Sequence, residues 1–263
     1  MLSLIHSIAG RPWAIQGDIA LHIRGLVAKE GIAGLRHLAA LAEDGKLHAA
    51  AGSRAGRAES SIAVVPAIGT MTQRGDVINS AYTRSTDAIA AEVLAAAAEP
   101  KIDAIVLEVD SPGGEVFGVP EAWSAIRQAG KVKPVVASVN SIAASAGYYL
   151  ASAATEMMVT PSGMVGSIGV YALHVDMSKS LETMGEKWTF VSAGKYKIEG
   201  NPAEPLGDEA RGAMQGDVDR YYQDFLRDVA RGRGVSLDSV RGGFGEGRMV
   251  GAQAAVAARR AEG

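Results

Sequence analysis

The sequence predicts an α/β protein with a mainly parallel sheet, preceded by a helical N-terminal arm. Three observations carry this. Short apolar runs at Ile62–Ile68, Ile102–Val109 and Pro134–Val139 alternate with helix-like stretches at Ser85–Glu99 and Pro120–Ala129. Such alternation implies right-handed βαβ units. Val135-Val-Ala-Ser-Val139 is close to continuously apolar, as in a strand buried on both faces. A small, polar stretch at Ala50–Ser61 then separates these units from the start of the chain, as a linker would.

In chain order, Trp13, Ile15, Ile19, Ala20, Ile23 and Val27 can share one helical face, and Leu35–Leu41 continue the pattern. Residues 1–57 are therefore expected to form a helical arm and linker, and residues 58–263 the main domain. Gly69–Thr83 is expected as an irregular polar loop. Ser85 or Thr86 is expected to cap the alanine-rich helix that follows. After Val139 the chain passes through Asn140-Ser141 into a helix start near Ala143–Tyr149. Further strands are expected at Glu156–Val159, Ile168–Val175 and Trp188–Val191, with a helix near Lys179–Met184. Asp208–Arg231 is a long amphipathic helix with Met214, Val218, Tyr221, Tyr222, Phe225 and Val229 on one stripe.

Composition narrows the function. With 48% hydrophobic and 21% charged residues among 263, the chain can bury a large core. A net charge of −3 without a basic cluster gives no reason to expect nucleic acid. The absence of Cys excludes thiol catalysis and Cys-based zinc sites, and the five His show no metal-ligand spacing. No cofactor and no metal are expected. No run reaches transmembrane length, and Met1–Gly10 lacks the basic and apolar regions of a secretory signal. A cytoplasmic protein without a membrane anchor is therefore expected.

Four stretches carry chemistry. Ala143-Ala-Ser145-Ala-Gly-Tyr-Tyr149 puts a serine where a strand meets a helix start, next to unpaired amides that would stabilise an oxyanion. Taken alone, Ser145 also reads as a capping serine. Asp110-Ser-Pro-Gly-Gly-Glu-Val116 lies at the carboxyl end of a strand, where open α/β sheets place sites, yet it also suits an ordinary turn. Gly163-Met-Val-Gly-Ser-Ile-Gly169 is glycine-rich but is neither a dinucleotide fingerprint nor a P-loop. Ala193-Gly-Lys195-Tyr-Lys197-Ile-Glu-Gly-Asn-Pro202 fits a solvated basic turn as well as a catalytic lysine.

Together and in this order, these motifs resemble the signal peptide peptidase A family of Ser–Lys proteases, over about Ile62–Gly263. Arg11-Pro-Trp-Ala-Ile15 and Lys197-Ile-Glu-Gly-Asn-Pro202 look like its phage and prophage branch, which includes head-maturation proteases. The resemblance implies a Clp protease/crotonase-like fold of repeated ββα units. It implies Ser145 as nucleophile, Lys197 as general base and Ser167 as the serine that hydrogen-bonds the lysine amine. It implies an oxyanion hole from the N–H groups of Gly113 or Gly114 and of Ala146, where many members have Gly. A serine hydroxyl needs a base, and a lysine amine serves only when neutral.

The resemblance further implies a serine endopeptidase with protein or peptide substrates, acting on scaffold, portal or capsid proteins in the host cytoplasm or procapsid. It implies a homo-oligomer, a closed ring whose sites are completed at subunit boundaries. The ending Ala258–Gly263 falls where the family usually continues into one more strand, which implies a trimmed or self-processed end. Two rivals stay open: a Ser145–His174–Asp176 triad, and a catalytically idle assembly or scaffold-binding protein that keeps the fold. The small apolar residues at 143–147 and 163–165 are expected to wall a shallow S1 pocket for Ala or Leu.

Overall fold

The computed structural model describes residues 12–15, 61–75, 82–244 and 246–262. Its elements in chain order are β1 (Pro12–Ile15), β2 (Ser61–Ile68), β3 (Thr70–Thr72), β4 (Thr83–Ser85), α1 (Thr86–Ala98), β5 (Ile102–Ser111) and β6 (Gly113–Glu115). Then come α2 (Val119–Ala129), β7 (Val135–Ala144), α3 (Ala146–Ser152), β8 (Glu156–Val159), β9 (Met164–Gly166) and β10 (Tyr171–Ala172). The chain closes with α4 (Ser178–Thr183), α5 (Asp208–Arg233), α6 (Leu237–Gly243), β11 (Met249–Gly251) and α7 (Ala252–Ala257).

The main sheet runs β11-β9-β7-β5-β2, and β8 also pairs with β7. All its pairs are parallel except β11 with β9. A smaller sheet runs β10-β1-β6-β3-β4 across the carboxyl ends of β5 and β7. The predicted mainly parallel α/β architecture is thus the observed one.

Periodicity decides which face is buried. Ile105, Leu107, Val109 and Ser111 of β5, with Val135, Ala137 and Val139 of β7, point into the core. The alternate residues of both strands are half-exposed, and Ile62 and Val64 of β2 stand out at 63% and 59% exposure. Among the described residues, helices therefore cover the strands on one face only, where burial on both was expected. The core face packs against Ile89 and Val93 of α1, Trp123 and Ile126 of α2, and Phe225, Leu226 and Val229 of α5.

Local chemistry sets the boundaries. Ser85 caps α1 by accepting from the Ala88 N–H at 3.1 Å and donates to Gln73 O at 2.9 Å. The next residue, Thr86, is buried inside the helix. In α2 the Trp123 indole N–H donates to Ser152 Oγ at 3.1 Å, and that hydroxyl donates to Tyr149 O at 2.6 Å. This pair ties α2 to α3 without leaving a buried donor unpaired.

Several expectations change. β7 does not stop at Val139 but runs to Ala144, because Ser111 and then β9 continue its ladder. The helix after it starts at Ala146, beyond the serine. The polar stretch Gly69–Thr83 includes β3 and the start of β4, and Ile168–Val175 contains only the short β10. Trp188–Val191 is irregular and mostly exposed, with Val191 at 98%. In the N-terminal arm, residues 12–15 form a strand rather than a helix; the rest of the expected helical arm lies outside the described residues.

The glycines of α5 make opposite predictions. A Cβ on Gly216 meets nothing within 4 Å, so Gly216→Ala should gain helix propensity and raise stability by about 0.5–1 kcal/mol. A Cβ on Gly232 would lie 2.1 Å from the Ser152 carbonyl oxygen of α3, so Gly232→Ala should cost about 1–3 kcal/mol. Thermal denaturation of both variants reads the two signs.

Candidate active site

Ser145 is the hinge between β7 and α3. Its backbone takes φ 52° and ψ −117°, a conformation that side-chain-bearing residues rarely adopt. Such a residue costs about 1–3 kcal/mol and persists only where its surroundings hold it. Here the Ser145 N–H donates to Gly166 O at 2.8 Å, and its carbonyl accepts from the Tyr149 N–H at 2.8 Å. The chain reverses sharply from a parallel strand into a helix, with the hydroxyl at the junction. That placement is shared with strained nucleophile turns of α/β hydrolases. The hydroxyl has Gly169 O at 3.5 Å, and the residue is 1% exposed.

Small residues make the turn possible. Ala143, Ala144, Ala146 and Gly147 are all buried. A Cβ on Gly147 would come within 2.9 Å of Ser111 Cβ, so the turn after Ser145 presses directly on the end of β5. Ser111 in turn organises the Asp110–Val116 loop. Its hydroxyl donates to Gly69 O at 2.7 Å and accepts the Gly113 N–H at 3.1 Å. Within the Asp110–Val116 motif Ser111 was given no role of its own; its place before Pro112-Gly113-Gly114 at a strand end was the available signal.

This geometry sorts the oxyanion candidates. The Gly113 N–H is engaged by Ser111 Oγ. Gly114 must be glycine, since a Cβ there would lie 1.9 Å from Met71 O across the β3–β6 pair. Ala146 follows Ser145 at the first position of α3. Ser167 has φ 55°, and its N–H donates to Arg248 O at 3.1 Å, which holds the Gly163–Gly169 loop against the segment before β11. Ser141 has φ 137° and donates to Asp110 Oδ1 at 2.8 Å. Ser141, Ser145 and Ser167, all at positive φ, lie near the carboxyl ends of β7 and β9.

The lysines are elsewhere in the single chain. Lys195 donates to Glu209 Oε1 at 2.8 Å and to the Tyr196 hydroxyl at 2.9 Å. Lys197 stands on the exposed turn 194–200, and its amine meets no hydrogen-bond or ion-pair partner among the described residues. The structure therefore brings Ser145, Ala146, Gly113, Gly114 and Ser167 into one region but leaves Lys197 outside it. His174 is no closer to a triad: its Nε2 pairs with Asn201 O at 3.1 Å, and Asp176 accepts the Ser178 N–H at 2.9 Å.

Of the residues expected to wall an S1 pocket, 143–147, Gly163 and Val165 are buried, while Met164 is 44% exposed. A separate apolar crevice is lined by Val116, Val119, Tyr149, Val170, Tyr221 and Phe225, with Asp224 on its wall. Tyr149, one helical turn after Ser145, stacks on Phe225 at 4.5 Å and 16° and donates its hydroxyl to Asp228 Oδ2 at 2.7 Å. Burial first, and then the Asp228 carboxylate, push this phenol well above its ordinary range. Burial does the same to Tyr148, whose hydroxyl donates to Arg260 O at 3.1 Å.

Comparison with known proteins gives this arrangement a family. Residues 127–261 match the model of peptidase family S49, and residues 71–165 match that of Clp protease. Capsid assembly protease C of Escherichia phage lambda is 32% identical over 230 residues, covering 86% of this chain and 52% of that protein. The head-tail preconnector protein GP5 of Enterobacteria phage P21 is 35% identical over 191 residues, covering 72% of this chain and 38% of that protein. A putative signal peptide peptidase SppA of Enterococcus faecium is 28% identical over 144 residues, 53% of this chain and 41% of that protein. The chain belongs to peptidase family S49, and the resemblance read from its motifs holds. It spans about half or less of the length of these relatives.

The buried phenols set an alkaline limit. Unfolded tyrosines ionise near pH 10, whereas Tyr148 and Tyr149 keep their protons when folded. The unfolded state then binds fewer protons, so stability present below pH 10 is lost as pH rises, by up to about 1.4 kcal/mol per pH unit per group. Tyr149→Phe should cost about 1–2 kcal/mol at pH 7 and flatten the fall above pH 10. Denaturant melts at pH 8 and pH 10.5 check both effects.

Proposed function

We propose that this chain is a serine endopeptidase with Ser145 as nucleophile and Lys197 as general base. The observation that carries the reading is the strained Ser145 turn, packed on the glycine loop and opening α3, in a chain of the S49 family. In this reading Ser145 Oγ attacks the peptide carbonyl as Lys197 removes the hydroxyl proton. The oxyanion receives the N–H groups of Ala146 and of Gly114 or Gly113, and Ser167 orients the amine. The leaving amine takes the proton, and water then releases the acyl group by the same steps in reverse. Capsid-associated proteins, scaffold and portal among them, are the proposed substrates, by analogy with the protein named capsid assembly protease C.

An exposed lysine and a buried serine call for assembly. An amine becomes neutral more readily when it is withdrawn from water. The segment around Phe190, Val191 and Tyr196 is exposed and apolar, and the outer face of β2 presents Ile62 and Val64. Apolar surface of this kind marks subunit contacts. We infer a homo-oligomer in which docking of this segment completes the dyad. The idle assembly protein is the second reading, and the exposure of Lys197 in a single chain that buries Ser145 is what favours it.

Ser145→Ala and Lys197→Ala should each lower peptide hydrolysis by at least about a thousand-fold while the chain stays folded. Lys195→Ala, which removes exposed contacts with Glu209 and the Tyr196 hydroxyl, should change it less than about threefold. Mixing the Ser145→Ala and Lys197→Ala proteins should restore activity if the lysine reaches a neighbour's serine, and should not if it folds back on its own. Unmodified protein that hydrolyses nothing at any concentration would establish the idle reading.

A further inference from the structure

We propose that Pro12–Ile15 is a pseudosubstrate strand, held in cis in the seat of the extended substrate, that must leave before a peptide can reach Ser145. The proposal rests on the reading of Ser145 as nucleophile. Its starting point is where β1 lies. It sits between β6 and β10 and is antiparallel to both, with Trp13 opposite Glu115 and Tyr171, Ala14 opposite Gly114, and Ile15 opposite Gly113.

Those two strands bracket the nucleophile. β6 follows Ser111, the residue against which Gly147 packs immediately beyond Ser145. β10 follows Gly169, whose carbonyl oxygen lies 3.5 Å from Ser145 Oγ. β6 and β10 do not pair with each other; β1 is the strand between them. Two strand spacings of about 4.8 Å leave room for one extended chain and no more. A substrate strand and β1 therefore compete for one seat.

The direction is also that of a substrate. Antiparallel to β6, the segment runs from the level of Glu115 toward Gly113, so its carboxyl end points to the turn that holds Ser145. Main-chain pairing of this kind reads backbone, so it accepts any extended peptide and equally accepts an internal one. A tethered occupant competes at an effective concentration on the order of millimolar, above that of a typical substrate. Ser145, at 1% exposure, is closed to solvent in this state.

The chain has no Cys, so a single engineered disulfide tests the proposal in the 263-residue chain. Trp13 and Tyr171 are Cα register partners in the β1–β10 pair. Antiparallel partners have Cα atoms about 4.5–5.5 Å apart, within the range a disulfide spans. In Trp13→Cys/Tyr171→Cys, oxidation should form the bond in folded protein and lower hydrolysis of a casein or peptide substrate at least tenfold, with full recovery in reductant. Failure of the bond to form in the folded protein overturns the placement, and unchanged hydrolysis after it forms overturns the competition. Either failure leaves Ser145 as nucleophile intact. A chain inert in both redox states, and inert without the substitutions, overturns the protease reading and this proposal with it.

Discussion

The backbone of Ser145 is the constraint from which the surrounding structure follows. A serine at φ 52° is unfavourable in isolation, so the fold around it must supply the difference. It does so by burial and close approach rather than by any single strong bond. β7 is fixed on both edges, by β5 on one side and by β8 and β9 on the other. α3 is clamped by α2 through the Trp123–Ser152 hydrogen bond and by α5 through the Tyr149–Phe225 stack. With both flanking elements packed in this way, the one residue between them is held at its positive φ. The alanines and Gly147 follow from this, because a larger side chain at the turn would meet β5.

Much of this was legible in the sequence, for definite reasons. Parallel strands and amphipathic helices announce themselves through apolar periodicity, and Ser85 through its capping chemistry. The cleft was legible because glycines and serines cluster where the backbone must turn abruptly, as at Gly113, Gly114 and Ser145. The end of β7 was not, because Asn140-Ser141 looks like a strand terminator until the β9 ladder is known. Burial of β7 on one face only was equally hidden, since Val136 is apolar whether or not a helix covers it. The strand at Pro12–Ile15 could not be distinguished from a helix by apolar spacing alone, and its pairing is wholly long-range. Ser111 escaped because its hydroxyl bonds to Gly69, far away in sequence.

Lys197 marks the limit of reasoning from a single chain. Its motif stands in family order, yet its amine is solvated while Ser145 is enclosed. The 186–200 segment is held loosely: Phe190, Val191 and Tyr196 are exposed, and Trp188 and Ile198 are only half-covered. The first half of α5 repeats the pattern, with Ala210 buried and Met214 and Val218 only half-covered. Apolar groups left outside on a turn and on half a helix are what the proposed homo-oligomer would cover.

The two unfinished features bear on each other. β1 fills the groove that a substrate strand would need, and the lysine lies away from the serine that it would activate. Each alone would suppress hydrolysis in the isolated chain; together they make suppression multiplicative, because a peptide must displace the strand while the base is also in place. A tenfold bias against each event is about 1.4 kcal/mol, so two independent biases of that size leave about one chain in a hundred competent. An assembly that docked the lysine segment and drew the N-terminal arm onto a neighbour would remove both biases in one step. Activity would then follow the state of assembly with a steepness that neither device provides alone. Such coupling needs only the differential contacts of one interface.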